Sequence, residues 1–236
     1  MGYGIKLLIW GEYACFTRPE MKVERVTYDV ITPSAARGIL EAIYWKPEMR
    51  WIIRQIHVLS PIRFTHVRRN EVKGKIPSKN IRAAMKGAGA PLGLAIEDVR
   101  QQRAAMILAD VRYGIEAHVE VLHQEGPETV PEAKHLDQFR RRAERGACFH
   151  HPYFGVREFP ASFQLIEEFP SPHQELMGEH DLGRMLLDIA FVPDNKGRII
   201  ESNKGRKVTA KPRFFHALMR DGVIEVPRMG DREEGS

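Results

Sequence analysis

Apolar positions at the start of the chain fall into two patterns. Ile5 to Trp10, apolar except for Lys6 and ending at Gly11, has the length of a short strand. A loop rich in charge and aromatics then runs to Asp29. Thr32-Pro33-Ser34 marks a helix start, because Thr32 can accept from an orphan N–H and proline suits the first helical position. Ala36, Ile39, Leu40 and Ile43 follow at helical spacing, and Pro47 closes the helix. Residues 51–65 alternate as a strand, with Ile56, Val58, Ile62 and Phe64 on one face. From Thr65 to about Gly93 the periodicity fades into basic and small residues, which predicts a long, flexible, basic insertion.

The clearest strand comes next. Val111, Tyr113, Ile115, Ala117, Val119 and Val121 alternate with Arg112, Gly114, Glu116, His118 and Glu120. A helix follows Pro131, with Leu136, Phe139 and Ala143 inward and Gly146 as its stop, and then a strand through Phe159, Phe163 and Leu165. Strand, helix, strand, strand, helix, strand is the split βαβ order of a ferredoxin-like α+β fold. Beyond Pro170-Ser171-Pro172 the pattern is β-rich, with strands around 186–192 and 214–226 and turns at Asp194-Asn195-Lys196-Gly197 and Asp221-Gly222. The predicted organisation is a ferredoxin-like domain over 1–169 carrying the basic insertion at about 65–93. A small C-terminal β domain over 170–227 and a disordered tail over 228–236 complete it.

The chain of 236 residues is 43% hydrophobic and 28% charged, ordinary globular usage that excludes overall disorder. Its net charge of +5 is unevenly spread. Residues 1–110 hold 18 basic and 10 acidic side chains, whereas 111–236 hold 18 and 21. One polyanion-binding face accounts for this split better than a uniformly basic surface. Two cysteines cannot make a disulfide framework, and neither a signal peptide nor a membrane-length apolar run is present, so a cytoplasmic protein without membrane contact is expected.

Familiar catalytic signatures are missing. There is no HExxH, no Cys/His zinc spacing, no Walker loop, no dinucleotide fingerprint and no serine elbow, and the carboxylates do not cluster. His150-His151 is a tempting metal pair, but neighbours on a strand point to opposite faces. What remains is Lys, Arg, His and Tyr, a set suited to phosphate chemistry without a metal or other cofactor. Lys134-His135 stands at the predicted start of the helix after Pro131, where unpaired N–H groups favour an anion. Spacing alone favours the plainer account, in which both are exposed first-turn residues. Tyr44 likewise reads by itself as a core-edge aromatic. Basic side chains are the firmer signal: residues 37–75 carry nine Lys or Arg against three Glu, with Trp45, Trp51 and Phe64 nearby. Residues 193–215 carry seven basic side chains against two acidic, Lys204, Arg206 and Lys207 among them.

Three segments carry a resemblance. Gly11-Glu12-Tyr13-Ala14-Cys15-Phe16-Thr17-Arg18-Pro19-Glu20-Met21-Lys22 resembles the N-terminus of the CRISPR-associated Cas-five family. So do Ala42-Ile43-Tyr44-Trp45-Lys46-Pro47 with Arg50-Trp51, and Gly155-Val156-Arg157-Glu158-Phe159-Pro160. The match is to the type I-C branch of this family, within the RAMP superfamily, and extends from about residue 4 to about residue 226.

The resemblance implies an RRM-related, ferredoxin-like fold with a small C-terminal β domain. It also implies an endoribonuclease that cuts precursor CRISPR RNA within each repeat and then holds the 5′ handle as a subunit of a type I-C surveillance complex. The expected chemistry is metal-independent: the 2′-oxygen attacks its own phosphate, leaving a 2′,3′-cyclic phosphate and a 5′-hydroxyl. Tyr44, Lys134 and His135 match the family's cutting residues. His135 is assigned proton transfer, Lys134 charge stabilisation, and Tyr44 positioning or assistance. Arg37, Lys46, Arg50, Arg68, Arg69, Lys73 and Arg157 are candidates for holding the repeat hairpin and handle. A non-catalytic handle-binding cap is the alternative, and a metal-dependent DNase with non-specific DNA binding is a third possibility.

Overall fold

The computed structural model describes residues 4–21, 23–87, 92–122, 131–192 and 209–228. The predicted turn at 194–197, the basic cluster at Lys204, Arg206 and Lys207, and the tail from 229 lie outside the described residues.

The chain begins with β1 (Ile5–Ala14), the two-residue β2 (Arg25–Val26), α1 (Pro33–Ile43) and β3 (Met49–Val58). Next are β4 (Phe64–Val72), α2 (Ser78–Met85), α3 (Ile96–Val99) and the 22-residue β5 (Arg100–Val121). Helix α4 (Glu132–Glu144) and β6 (Ser162–Leu165) follow, then β7 (Glu179–Val192), β8 (Thr209–Arg220) and β9 (Val223–Glu225). Among the described residues, the nine strands belong to one sheet, ordered β6-β1-β5-β3-β9-β8-β7, with β2 and β4 also paired to β5.

Its first four strands make the expected arrangement. β1 runs antiparallel to both β5 and β6, and β3 runs antiparallel to β5. α1 and α4 therefore each cross over one strand, which is the split βαβ order. Ile5, Leu7 and Ile9 of β1, Ile53 and Ile56 of β3, and Tyr113, Ile115, Ala117 and Val119 of β5 share the buried core. Ala36, Ile39, Leu40 and Ile43 of α1 pack into that core, as do Leu136, Phe139 and Ala143 of α4. Trp51 lies edge-on to Phe139, centroids 4.8 Å apart, and is only 1% exposed. That burial removes it from any role in stacking nucleic-acid bases.

Local signals set the helix ends. Thr32 Oγ1 accepts from the Ala35 N–H at 3.3 Å, with Pro33 as the first helical residue. α1 stops four residues before Pro47, because Tyr44 turns extended (φ −154°, ψ 127°) while its N–H still donates to Leu40 O. α4 has no side-chain cap at Pro131; it ends at Glu144, and Gly146 just beyond its C-cap Arg145 takes left-handed backbone (φ 64°).

Two elements differ from the sequence pattern. The single strand expected over 51–65 is two strands, since β3 ends at Val58 and β4 opens at Phe64, with Pro61 between them. The segment expected to be a flexible insertion starts as a regular strand, β4, paired with β5 from Phe64↔Leu108 to Val72↔Arg100. Its alternation was hidden because both faces carry charge. Arg69 points inward, but its guanidinium lies over the Phe159 ring, 5.2 Å from the centroid, so an arginine occupies a place usually apolar.

The C-terminal strands extend the same sheet, because Gln55 to His57 of β3 pair with Val223 to Glu225 of β9. The linker before them crosses the sheet: Phe169 stacks on His57, centroids 3.9 Å apart, directly over Gly114. A Cβ at 114 would collide with that ring, so glycine is required there.

Candidate active site

The end of α1 and the start of α4 bring the two sequence motifs together. Tyr44 is 7% exposed and His135 1%. Tyr44 Oη and His135 Nδ1 lie 3.0 Å apart. Tyr44 is fixed from behind: its carbonyl accepts from Trp51 Nε1 at 2.9 Å, and Arg142 Nη1 donates to the carbonyl of Ile43 at 3.1 Å. His135 Nε2 has no hydrogen-bond partner among the described residues.

Charge around the pair is mixed. Burial lowers His135 below the ordinary imidazole range; the Glu48 carboxylate pulls the other way, and the Lys134 and Lys46 ammoniums add to the depression. Burial raises the Tyr44 phenol, with Glu48 reinforcing and Arg142 opposing. Near neutral pH the pair is thus a neutral imidazole beside a protonated phenol, and Tyr O–H donating to Nδ1 satisfies both. Lys134, beside His135 in the first turn of α4, is exposed.

Tyr44 also lines a cleft of about 1250 Å³. Lys46 and Arg157 open into it, together with Trp45, Phe149, His150, His151 and Tyr153. The loop 147–153 forms its far wall because the N–H groups of Phe149 and His150 both donate to Ala42 O, at 2.8 and 3.1 Å. Gly155 (φ 79°) lets the following chain lie against Cys15, where a Cβ would strike the Cys15 carbonyl.

Other predicted residues stand elsewhere. Arg37 binds Asp188 with two nitrogens, both at 2.8 Å, and also pairs with Glu41, which ties α1 to β7. Arg69 pairs with Glu158. Arg50 is exposed on β3, and Arg68 and Lys73 are exposed at β4 and just beyond it. Sequence reasoning missed Glu48, Arg142, Phe149 and Tyr153. The aromatic-rich run from Phe149 to Tyr153 after a helix stop was an available signal; Glu48 offered none. Among the described residues no group of three or more His, Cys, Asp or Glu side chains gathers as a metal site.

Comparison with solved structures agrees on the class of fold. A crystal structure of a CRISPR-associated protein superposes with a TM-score of 0.63 at 21% identity, covering 98% of this chain and 94% of that one. A functionally uncharacterized protein from Streptococcus mutans superposes with a TM-score of 0.62, also at 21% identity, covering 98% and 96%. Sequence narrows the class. The family described as CRISPR-associated protein (Cas_Cas5) matches residues 4–227, and the chain belongs to that family. It is 51% identical over 232 residues to the CRISPR pre-crRNA endoribonuclease Cas5d of Mannheimia succiniciproducens, covering 96% of each chain. It is 44% identical over 228 residues to the protein of the same name from Thermus thermophilus, covering 94% of this chain and 91% of that one.

Proposed function

We propose that this chain cuts precursor CRISPR RNA within its repeats and remains bound to the 5′ handle as a subunit of a type I-C surveillance complex. The observation that carries the reading is the buried Tyr44–His135 hydrogen bond beside Lys134, in a chain half identical to a pre-crRNA endoribonuclease.

The chemistry is transesterification without a metal. The 2′-oxygen upstream of the scissile bond attacks the adjacent phosphorus, and the P–O bond to the next nucleotide's 5′-oxygen breaks. The products are a 2′,3′-cyclic phosphate and a 5′-hydroxyl. Tyr44 is the member of the pair that lines the cleft. Its oxygen takes the 2′-hydroxyl proton as its own proton passes to Nδ1 of neutral His135, so the imidazole acts through the phenol; the departing 5′-oxygen takes a proton from solvent, and the imidazolium returns its proton to solvent after cutting. Lys134, with Lys46 close to the same imidazole, offsets charge on the phosphate oxygens as the fifth bond forms. Exposed Lys46 and Arg157 in the cleft, and Arg50, Arg68 and Lys73 beyond it, supply phosphate contacts. Arg37 and Arg69, engaged with carboxylates, serve the fold.

The test is repeat RNA incubated in EDTA with the wild-type protein, Tyr44→Phe and His135→Ala. Cutting by the wild type alone, with RNA still bound by both variants, supports the reading. Binding without cutting by the wild type supports the cap, and cutting only when Mg²⁺ is added supports a metal-dependent nuclease.

A further inference from the structure

Helix α4 carries three consecutive arginines, and the fold uses them differently. Arg140 Nη2 donates to Gly4 O at 2.9 Å and Arg140 also pairs with Asp137, while Arg141 is exposed. Arg142 is half-buried and turns toward α1, where its Nη1 donates to the carbonyl of Ile43 at 3.1 Å. Positions i and i+7 share one face of an α-helix, so Arg142 leaves α4 on the same side as His135. Both side chains meet the end of α1.

The end of α1 depends on donors from outside it. The last carbonyls of a helix have no partner within the helix, and α1 has no basic residue in its last turn. Ala42 O accepts from the N–H groups of Phe149 and His150, Ile43 O from Arg142, and Tyr44 O from Trp51 Nε1. Arg142 is the charged donor of this set, and a cation at a helix C-terminus is favourable. Its bond falls on the peptide unit that joins Ile43 to Tyr44. The orientation of that unit sets the direction in which the Tyr44 side chain leaves the backbone. Arg142 thus holds the root of Tyr44 while His135 Nδ1 holds its tip, 3.0 Å from Oη. Burial and then Glu48 raise the Tyr44 phenol, and the Arg142 charge opposes both.

We propose that Arg142 is a positioning residue for cutting: by holding the Ile43–Tyr44 peptide it keeps the phenol aligned on His135. The proposal rests on the reading above, in which the 2′-hydroxyl proton passes through Tyr44, and it adds a residue that acts through the phenol without touching RNA. A displaced phenol spoils the transfer on both sides, since Oη must face the 2′-oxygen and Nδ1 together. A misplacement of about 1 Å can slow a reaction about 10²-fold.

The experiment uses the full chain, with two readouts on Arg142→Gln, Arg142→Lys and Tyr44→Phe. The first is the nitrogen NMR signal of His135 Nδ1, which reports the phenol bond whether or not RNA is cut. Arg142→Gln is expected to move it toward its position in Tyr44→Phe, and Arg142→Lys, which keeps a charged donor, less far. The second is the single-turnover rate on saturating repeat RNA. Arg142→Gln is expected to lower that rate by about 10–10²-fold with RNA affinity unchanged, and to lower it no further in the Tyr44→Phe background. Arg141→Gln, at the exposed neighbour, is expected to leave both readouts as in the wild type. If Arg142→Gln does not fold, Arg142→Lys is read in both backgrounds, where a smaller loss confined to proteins that keep Tyr44 is expected. An unmoved Nδ1 signal, an unchanged rate, or an equal loss of rate in both backgrounds would overturn the proposal, and cutting by the wild type would still uphold the ribonuclease. A moved signal with no cutting by the wild type would keep the alignment by Arg142 and reject the ribonuclease.

Discussion

Tyr44 and His135 are separated by 91 positions in the chain, yet their Oη and Nδ1 atoms lie 3.0 Å apart in the protein interior. Two crossover helices make the meeting. α1 delivers the tyrosine at its end and α4 the histidine near its start, on the same side of one sheet.

Removing the phenol oxygen tests that contact. Tyr44→Phe keeps the ring and leaves His135 Nδ1 buried without its partner. The expected cost in stability is roughly 1–3 kcal/mol, the usual penalty for an unsatisfied buried group. Cutting is expected to fall by about 10²–10⁴ while RNA affinity stays, since a general acid–base partner is typically worth that much. Single-turnover kinetics alongside denaturant unfolding separates the two effects.

The charges beside His135 act in opposite directions on it. Glu48 raises its pKa, so Glu48→Gln is expected to move the acid limb of the pH–rate profile to lower pH. Lys134 lowers it, so Lys134→Met is expected to move that limb to higher pH. The lysine variant is also expected to slow cutting by about 10²–10³, the loss typical of one transition-state donor. A lysine that only bound RNA would weaken affinity and leave the cutting rate of saturated RNA where it was.

Three histidines make the fold sensitive to acid. His57, His118 and His135 are each lowered, burial being the main cause in every case. Their neutral forms suit the folded chain. Stability is therefore fully present above about pH 6.5, the ordinary imidazole value, and is lost as pH falls from there through the lowered folded values. Thermal unfolding followed from about pH 7 to about pH 5 is expected to show a falling midpoint, with most of the change below about pH 6.5.

Arg37 contrasts with the basic residues proposed to bind RNA. Its guanidinium joins α1 to Asp188 on β7, so Arg37→Ala is expected to lower stability by roughly 1–3 kcal/mol. RNA affinity is expected to be unchanged. Lys46→Ala and Arg157→Ala are expected to show the opposite pattern, with weaker binding, a shallower salt dependence and an unaltered melting temperature.

Much of the fold could be read from periodicity because its decisive elements have one dry face. Ala36 to Ile43 of α1 and Val111 to Val119 of β5 announce themselves in this way. β4 did not, since Arg69 packs inward on Phe159 while His66 and Arg68 face water, leaving charge on both sides of the strand. At the site, spacing on its own favoured an exposed Lys134-His135 pair. Only half of that agrees with the structure: Lys134 is exposed, and His135 is buried against a tyrosine that no local pattern could supply. The resemblance joined the three residues before the fold did. Neither brought in Glu48 or Phe149, whose places depend on how distant segments pack around the end of α1.

The central claim is that RNA is cut by its own 2′-oxygen, with the proton passing through Tyr44 to His135. The most direct measurement compares two repeat RNAs in EDTA, one unmodified and one with a single 2′-deoxy sugar just upstream of the cut. The account predicts cutting of the first only, with a 2′,3′-cyclic phosphate on the upstream fragment. Equal cutting of both would contradict it.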